Sequence, residues 1–360
     1  MKLTKIDYYI IKRYLGAFLL ALGLFTVIII VFDLAEKIDD FMENDAPFSK
    51  VLVNYYMNWV PFLLNLFSPV FVFISVIFFT SKMAQKSEIV AILASGVSYK
   101  RLMVPYLITA VFLALFSFSL FAWIIPRADK TRVDFENTYI RDRTRYTKSS
   151  IRTQLEPGVM LSMGNYNLSD SAGYKVSLEH FENGELKSKL FADRLNWNKK
   201  TNKWRLSKYW IREFEDGMEI LTQGARIDTM IAFNPEDFFR KNDDVQMFNL
   251  KELDHMIEME EMRGTGNTFF YVTEKYKRYS TPFAILILTV IGVSVASKKT
   301  RGGIGLNLGV GLLLSFTFLI VMQFFIAYGS SGSLPPLIAV WIPNIIFGAI
   351  AVVLYKFAQK

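Results

Sequence analysis

Residues 83–102 read MAQKSEIVAILASGVSYKRL, and the placement of this stretch decides how the rest of the chain is organised. Lys82 precedes it, Lys86 and Glu88 open it, and Lys100 and Arg101 close it. Within it Ile89, Ile92, Leu93 and Val97 recur at helical spacing, which predicts a short amphipathic helix near residues 84–98. Ser87 is placed to cap that helix with Glu88 in its first turn, and Gly96 to end it. On either side the chain is apolar. A helix of this kind between two apolar runs either lies flat on lipid or docks into a groove of another protein.

The flanking runs are long enough to cross a membrane. A hydrocarbon core of about 30 Å needs about 20 helical residues. Tyr14–Phe32 supplies one uncharged span, Val51–Thr80 a second of 30 residues, and Leu102–Ile125 a third. In the second, Asn54, Asn58, Pro61, Asn65 and Pro69 predict a bent or tilted helix whose polar groups face protein. Pro282–Ser297, Ile304–Tyr328 and Leu337–Tyr355 complete a set of six. The first run is longer than the apolar core of a secretion signal, and no small-x-small cleavage site follows it, so it reads as a retained span.

Lys and Arg flanking the spans orient them, because such residues stay in the cytoplasm. One side holds Lys2, Lys5, Lys12 and Arg13, then Lys82, Lys86, Lys100 and Arg101, then Lys298, Lys299 and Arg301, and finally Lys356 and Lys360, against only Asp7 and Glu88. On the other side the first loop, DLAEKIDDFMENDAPFSK (33–50), is acidic, and GSSGS (329–333) is uncharged. This places both termini and the 83–102 stretch in the cytoplasm, and residues 126–281 outside. The formal net charge of +8 is thereby assigned to the membrane rule and not to nucleic acid.

The excluded middle reads as water-soluble protein. Residues 126–148, PRADKTRVDFENTYIRDRTRYTK, are strongly charged and predict an extension of the third helix. From about Ser149 the pattern becomes β. YKVSLEHFENGELKSKLFADRLNW (174–197) alternates around Asn183-Gly184, a strong hairpin signal, and a further turn is expected at Asp216-Gly217. Short strands at this spacing build a sandwich, a jelly roll or a partly open barrel. FNLKELDHMIEMEEMRG (248–264) predicts a helix ending near Gly264, and FFYVTEKYKRYSTPF (269–283) a helix leading into the fourth span. The expected fold is therefore an α-helical membrane protein of six spans, three and three, with an inserted extracytoplasmic all-β, jelly-roll-like domain. The segments are 1–135, 136–265 and 266–360.

No catalytic constellation emerges. The absence of Cys excludes disulfides and thiol chemistry, and His180 and His255 are too few for a His-rich metal site. Asp39-Asp40, on the hydrophilic first loop, and Glu258–Glu261 read as solvated faces. GGIGLNLGVG (302–311) lacks the Lys-Ser/Thr ending of a phosphate loop and opens an apolar span, so Gly305 and Gly309 read as a Gly-x-x-x-Gly helix-packing pair. The chain is expected to bind no nucleotide, cofactor or metal itself. At the outer boundary, Asp33, Glu36 and Lys37 follow the first span, and Arg127, Lys130 and Arg132 the third. They read either as interfacial anchors or as contacts for an anionic amphiphile.

QKSEIVAILASGVSYKRL (85–102) resembles the cytoplasmic segment of the lipopolysaccharide export permeases, the LptF/LptG (YjgP/YjgQ) family. DYYIIKRYLGAFL (7–19), YSTPFAILILTVIGVSV (279–295) with Pro282, and LPPLIAVWIPN (334–344) with Pro335, Pro336 and Pro343 resemble the family's first, fourth and last spans in the same order. The resemblance covers essentially the whole topology. It implies an inner-membrane permease that pairs with a second family member or with itself, and that recruits a separate LptB-like ABC ATPase, which uses the ATP. It also implies that lipopolysaccharide is passed to periplasmic jelly-roll proteins, LptC-like and LptA-like. By the same resemblance Ser87, Glu88, Ile92, Ala94, Ser95, Gly96 and Val97 form the ATPase-coupling segment, Glu88 meeting a basic residue and the small tip allowing close approach. Asp33, Lys37, Arg127 and Arg132 are the candidates for the lipid path. The competing reading is a non-transporting sensor or scaffold whose β domain binds a ligand, with the spans as anchor. A membrane enzyme is a third, for which no clustered acid, base or nucleophile speaks.

Overall fold

The computed structural model of the chain describes residues 4–140, 147–167, 170–198, 201–215, 218–231, 242–264, 266–299 and 303–358. Among them, six helices are long and apolar enough to cross a membrane: α1 (Lys5–Glu43), α2 (Phe48–Gln85), α4 (Tyr99–Tyr139), α6 (Thr268–Ala296), α7 (Gly303–Ser330) and α8 (Pro336–Ala358). Between α2 and α4 lies the short α3 (Glu88–Ala94), and α5 (Leu250–Arg263) precedes α6. An antiparallel β sheet is inserted between α4 and α5. The expected membrane architecture with an inserted all-β domain holds. The expected turn at Asp216-Gly217, and Lys2, Gly302, Arg301 and Lys360, lie outside the described residues.

The chain divides into two units, one comprising residues 1–135, 246–250 and 269–360, the other 136–245 and 251–268. In the membrane unit, helices that are apolar on every side gain little from burying one face, so packing and polar ties decide their arrangement. Each tie joins two elements. The Tyr14 and Thr289 hydroxyls are 3.0 Å apart (α1–α6), and Thr80 Oγ1 donates to Tyr106 Oη at 3.1 Å (α2–α4). Asn307 Nδ2 donates to Ser81 Oγ at 3.0 Å (α7–α2), and Asn344 Nδ2 to the Ser280 carbonyl at 2.9 Å (α8–α6).

α2 shows how its prolines are accommodated. Pro69 has no N–H to offer the Asn65 carbonyl, and the Ser68 hydroxyl donates to that oxygen instead, at 2.9 Å. The Asn65 side chain is then turned toward α4, where Nδ2 donates to the Ser117 carbonyl at 3.2 Å. Upstream, Val51–Tyr56 is wound as a wide π turn, and Asn58 Nδ2 takes up the loosened carbonyls of Val53 and Asn54 at 2.9 and 3.0 Å. Leu120–Ile124 of α4 is wound the same way.

One stretch departs from expectation. Residues 33–43, expected as loop with Asp39-Asp40 in it, continue α1 as far as Glu43. Leu34, Ile38 and Phe41 keep the helical spacing, and Phe41 is buried against the rings of Tyr55 and Phe135. That ring contact favours the helix over the loop that the acidic composition suggested.

The second unit is a six-stranded antiparallel sheet in consecutive order: β1 (Thr147–Glu156), β2 (Val159–Asn167), β3 (Ala172–Glu182), β4 (Glu185–Asn198), β5 (Lys203–Glu215) and β6 (Met218–Thr229). Asn183 and Gly184 both take positive φ, 50° and 84°, and make the tight β3–β4 hairpin that their sequence calls for. Leu161, Met163, Tyr166, Val176, Ala192, Leu195, Trp204 and Leu206 form its core. The Lys189 ammonium, 2.6 Å from Glu179 on the neighbouring strand, holds that carboxyl below its usual value. α5 ends at Arg263 with Gly264 in the left-handed region at φ 63°, as a C-terminal glycine should.

Candidate functional site

The α3 segment is built from its anchors outward. Asp7 begins the construction. With Thr4 it forms a capping box at the start of α1, the Thr4 N–H donating to Asp7 Oδ2 at 2.7 Å. The same carboxylate accepts two hydrogen bonds from the Arg101 guanidinium, at 2.7 and 2.5 Å. Arg101 lies in the first turn of α4, which Ser98 caps by accepting from the Arg101 N–H at 3.3 Å. α1 and the start of α4 are thus stapled beside the connection that carries α3.

Within that connection Ile89 is buried, at 2% exposure, among Ile10, Tyr14, Met83, Leu102 and Met103, and Ile92 packs against the same cluster. Glu88 accepts a hydrogen bond from the Tyr9 hydroxyl at 3.2 Å. The opposite face is open. Val90, Ala91, Ala94, Ser95 and Gly96 are exposed, and Leu93 lies at their edge. Gly96 has φ 91°, and a Cβ there would meet nothing within 4 Å. Its N–H donates to the Leu93 carbonyl at 3.1 Å, which closes the helix.

One correction follows. Ser87 precedes α3 as expected, but it does not cap through its hydroxyl. It lies in the left-handed region at φ 59° and makes no side-chain cap bond. The chain must reverse between Gln85 and Glu88, and the Ser87 N–H is used for that turn, donating to the Ala84 carbonyl at 3.0 Å. Ile92 and Val97 are half-buried, and the exposed apolar side chains are Val90 and Leu93. Val90 was not singled out from the sequence. Its signal was present, since it falls one residue after Ile89 and so about 100° around the helix from it.

At the far ends of the spans the four lipid-path candidates separate. Lys37 Nζ is 2.8 Å from Asp33 Oδ1, hydrogen-bonds the Tyr55 hydroxyl, and stands 4.8 and 5.2 Å from the Tyr55 and Trp59 ring centres. Asp33 and Lys37 therefore pair through Oδ1 inside an aromatic box. Arg132 Nε is 2.6 Å from the buried Asp129 carboxylate. Arg127 alone of the four is exposed. Sequence reasoning passed over a buried charged group on α6. Glu274 accepts from Lys277 at 3.0 Å and from Gln246 at 2.9 Å, and Arg278 donates to the Phe248 carbonyl at 2.6 Å. The signal was the spacing of Glu274, Lys277 and Arg278, which puts all three within one turn.

The glycines of the 302–311 run separate in the same way. Gly305 and Gly309 are exposed, and a Cβ at either would meet nothing within 4 Å among the described residues. The close approach belongs to Gly311, whose missing side chain leaves room for Ile77 of α2, and to Gly292, which faces Val76 and Phe73. Gly311 ends the same glycine run, two residues round from Gly309.

No curated protein matches the chain. Residues 8–356, nearly the whole length, match the model of the lipopolysaccharide export system permease LptF/LptG, and with six apolar helices around an inserted β sheet the chain belongs to that family of inner-membrane transport permeases.

Proposed function

We propose that the chain is one permease subunit of an ABC-type lipopolysaccharide exporter, and that α3 is where a separate cytoplasmic ATPase drives it. What carries this reading is the division of α3 into two faces. Ile89 and the Asp7–Arg101 pair hold one side rigid, while Val90, Leu93, Ala94, Ser95 and Gly96 present a small apolar tip. A tip of that size fits a groove, and a rigidly held tip transmits a push to α1 and α4. The basic residues clustered at the α3 end of the spans support a cytoplasmic side for that end. ATP is used by the partner, and this chain binds no cofactor.

A second permease copy or paralogue pairs with this one. The extruded lipid moves through the β domain toward LptC-like and LptA-like jelly-roll proteins. Exposed Arg127 is assigned to lipid phosphate, whereas Asp33, Lys37 and Arg132 hold the outer helix ends in register for it.

The test is co-purification from native membranes. Glu88→Arg and Gly96→Trp are expected to abolish ATPase association and lipid export while the protein still inserts. Normal association and export in both variants would leave only the sensor or scaffold reading.

A further inference from the structure

Beside α3, the first turns of α1 and the last turns of α2 enclose a groove of about 650 Å³. Its lining includes Lys12, Arg13, Lys82 and Lys86, against the single carboxylate of Glu88. The carboxylate is already engaged by the Tyr9 hydroxyl, and the Arg13 guanidinium is steadied 5.5 Å above the Tyr9 ring. Below this cationic rim the lining turns apolar, through Gly16 and Phe78 to Leu20. Leu20 and Phe78 are 66% and 42% exposed, so the apolar end opens sideways, on a flank of α1 that little among the described residues covers.

We infer that this groove is a binding site for an anionic glycerophospholipid. The rim supplies charge for a phosphate, and the floor supplies apolar surface for the first part of an acyl chain. Their order along the helix axis matches a lipid standing in its leaflet. Basic pockets between spanning helices are recognised sites for such headgroups, and each Lys or Arg at the surface contributes about a fivefold gain in affinity. Gly16 keeps the floor open, since a Cβ there would meet nothing within 4 Å. The inference does not depend on the ATPase reading, as neither probe nor readout involves an ATPase.

The experiment uses the full chain in detergent, mixed with equal amounts of phosphatidylglycerol and phosphatidylcholine of identical acyl chains, with retained lipid counted by native mass spectrometry. Phosphatidylglycerol is expected to be retained at least tenfold over phosphatidylcholine. The Lys12→Gln/Lys82→Gln variant should lose most of that preference. Gly16→Leu should lower total retention severalfold at an unchanged melting temperature, and gives a second test that leaves the charges in place. Equal retention of the two lipids by the unaltered chain overturns the assignment. So does an undiminished preference in the double Gln variant, or undiminished retention with Leu at position 16. Displacement of the lipid by inorganic phosphate points to a soluble ligand, and displacement by equimolar lipopolysaccharide points to the transported lipid. Either result overturns the phospholipid site.

Discussion

Asp7 and Arg101 lie 94 positions apart, and their side chains meet through two parallel hydrogen bonds of 2.7 and 2.5 Å. The Asp7 carboxylate also completes the Thr4 capping box. One group therefore caps α1 and ties it to the first turn of α4, and the α3 connection leaves and returns beside this staple. Bidentate pairing of this kind fixes orientation as well as distance, which a lysine in place of Arg101 would not reproduce.

Removing either half of the staple should loosen α3 without unfolding the spans. With Arg101→Gln, amides of residues 86–98 are expected to exchange about tenfold faster, measured by hydrogen–deuterium exchange in detergent. Asp7→Ala should do the same and also speed exchange at residues 4–8, because it removes the cap as well. Unchanged exchange at 86–98 in both variants would show that the staple does not hold the segment.

Neighbouring apolar positions on α3 should behave oppositely. Ile89→Ala removes a buried side chain and is expected to cost about 2–4 kcal/mol of stability. Leu93→Ala, at 36% exposure, should cost less than about 0.5 kcal/mol, yet weaken ATPase co-purification by tenfold or more. Thermal melting and quantitative pull-down separate the two effects. A Leu93 variant that binds the ATPase normally would remove the exposed tip from the interface.

Glycines in one run should likewise diverge. Gly311→Ala forces its new methyl onto the Cδ1 of buried Ile77 and, after the helix-propensity gain, is expected to destabilise by about 0–2 kcal/mol, relieved by Ile77→Val. Gly305→Ala meets open space and should be neutral or stabilising by up to about 1 kcal/mol through helix propensity. Melting temperatures of the purified variants decide this. A damaging Gly305→Ala would mean that another chain packs there in the sample.

In the β domain Trp204 is fully buried against Tyr166 and Trp197. Trp204→Ala is expected to cost about 3–5 kcal/mol and to expose strands β1–β6 to limited proteolysis while the spanning helices stay protected. Unchanged cleavage of the domain would show that its core lies elsewhere.

Much of this architecture was readable from composition. Val51–Thr80 is uncharged over a length that only lipid explains, and Asn183-Gly184 dictates its own turn. Less was readable where two elements compete for one residue. Phe41 lies within an acidic stretch that reads as loop, and only the rings of Tyr55 and Phe135 reveal why it stays helical. Lys37 reads as an interfacial anchor or a lipid contact, and only the structure shows Asp33 and Tyr55 holding it.

By itself, then, the sequence determined the six spans, the β insertion and the amphipathic character of residues 83–102. These follow from run length, period-two alternation and local charge, which need no knowledge of neighbours. Which face of each element is used was decided only by the tertiary structure. The roles of Ile89 against Leu93, Gly311 against Gly305, and the cations lining the groove beside α3 depend on what stands opposite them. Packing distances of a few ångströms between residues far apart in the chain set that, and no local pattern encodes it.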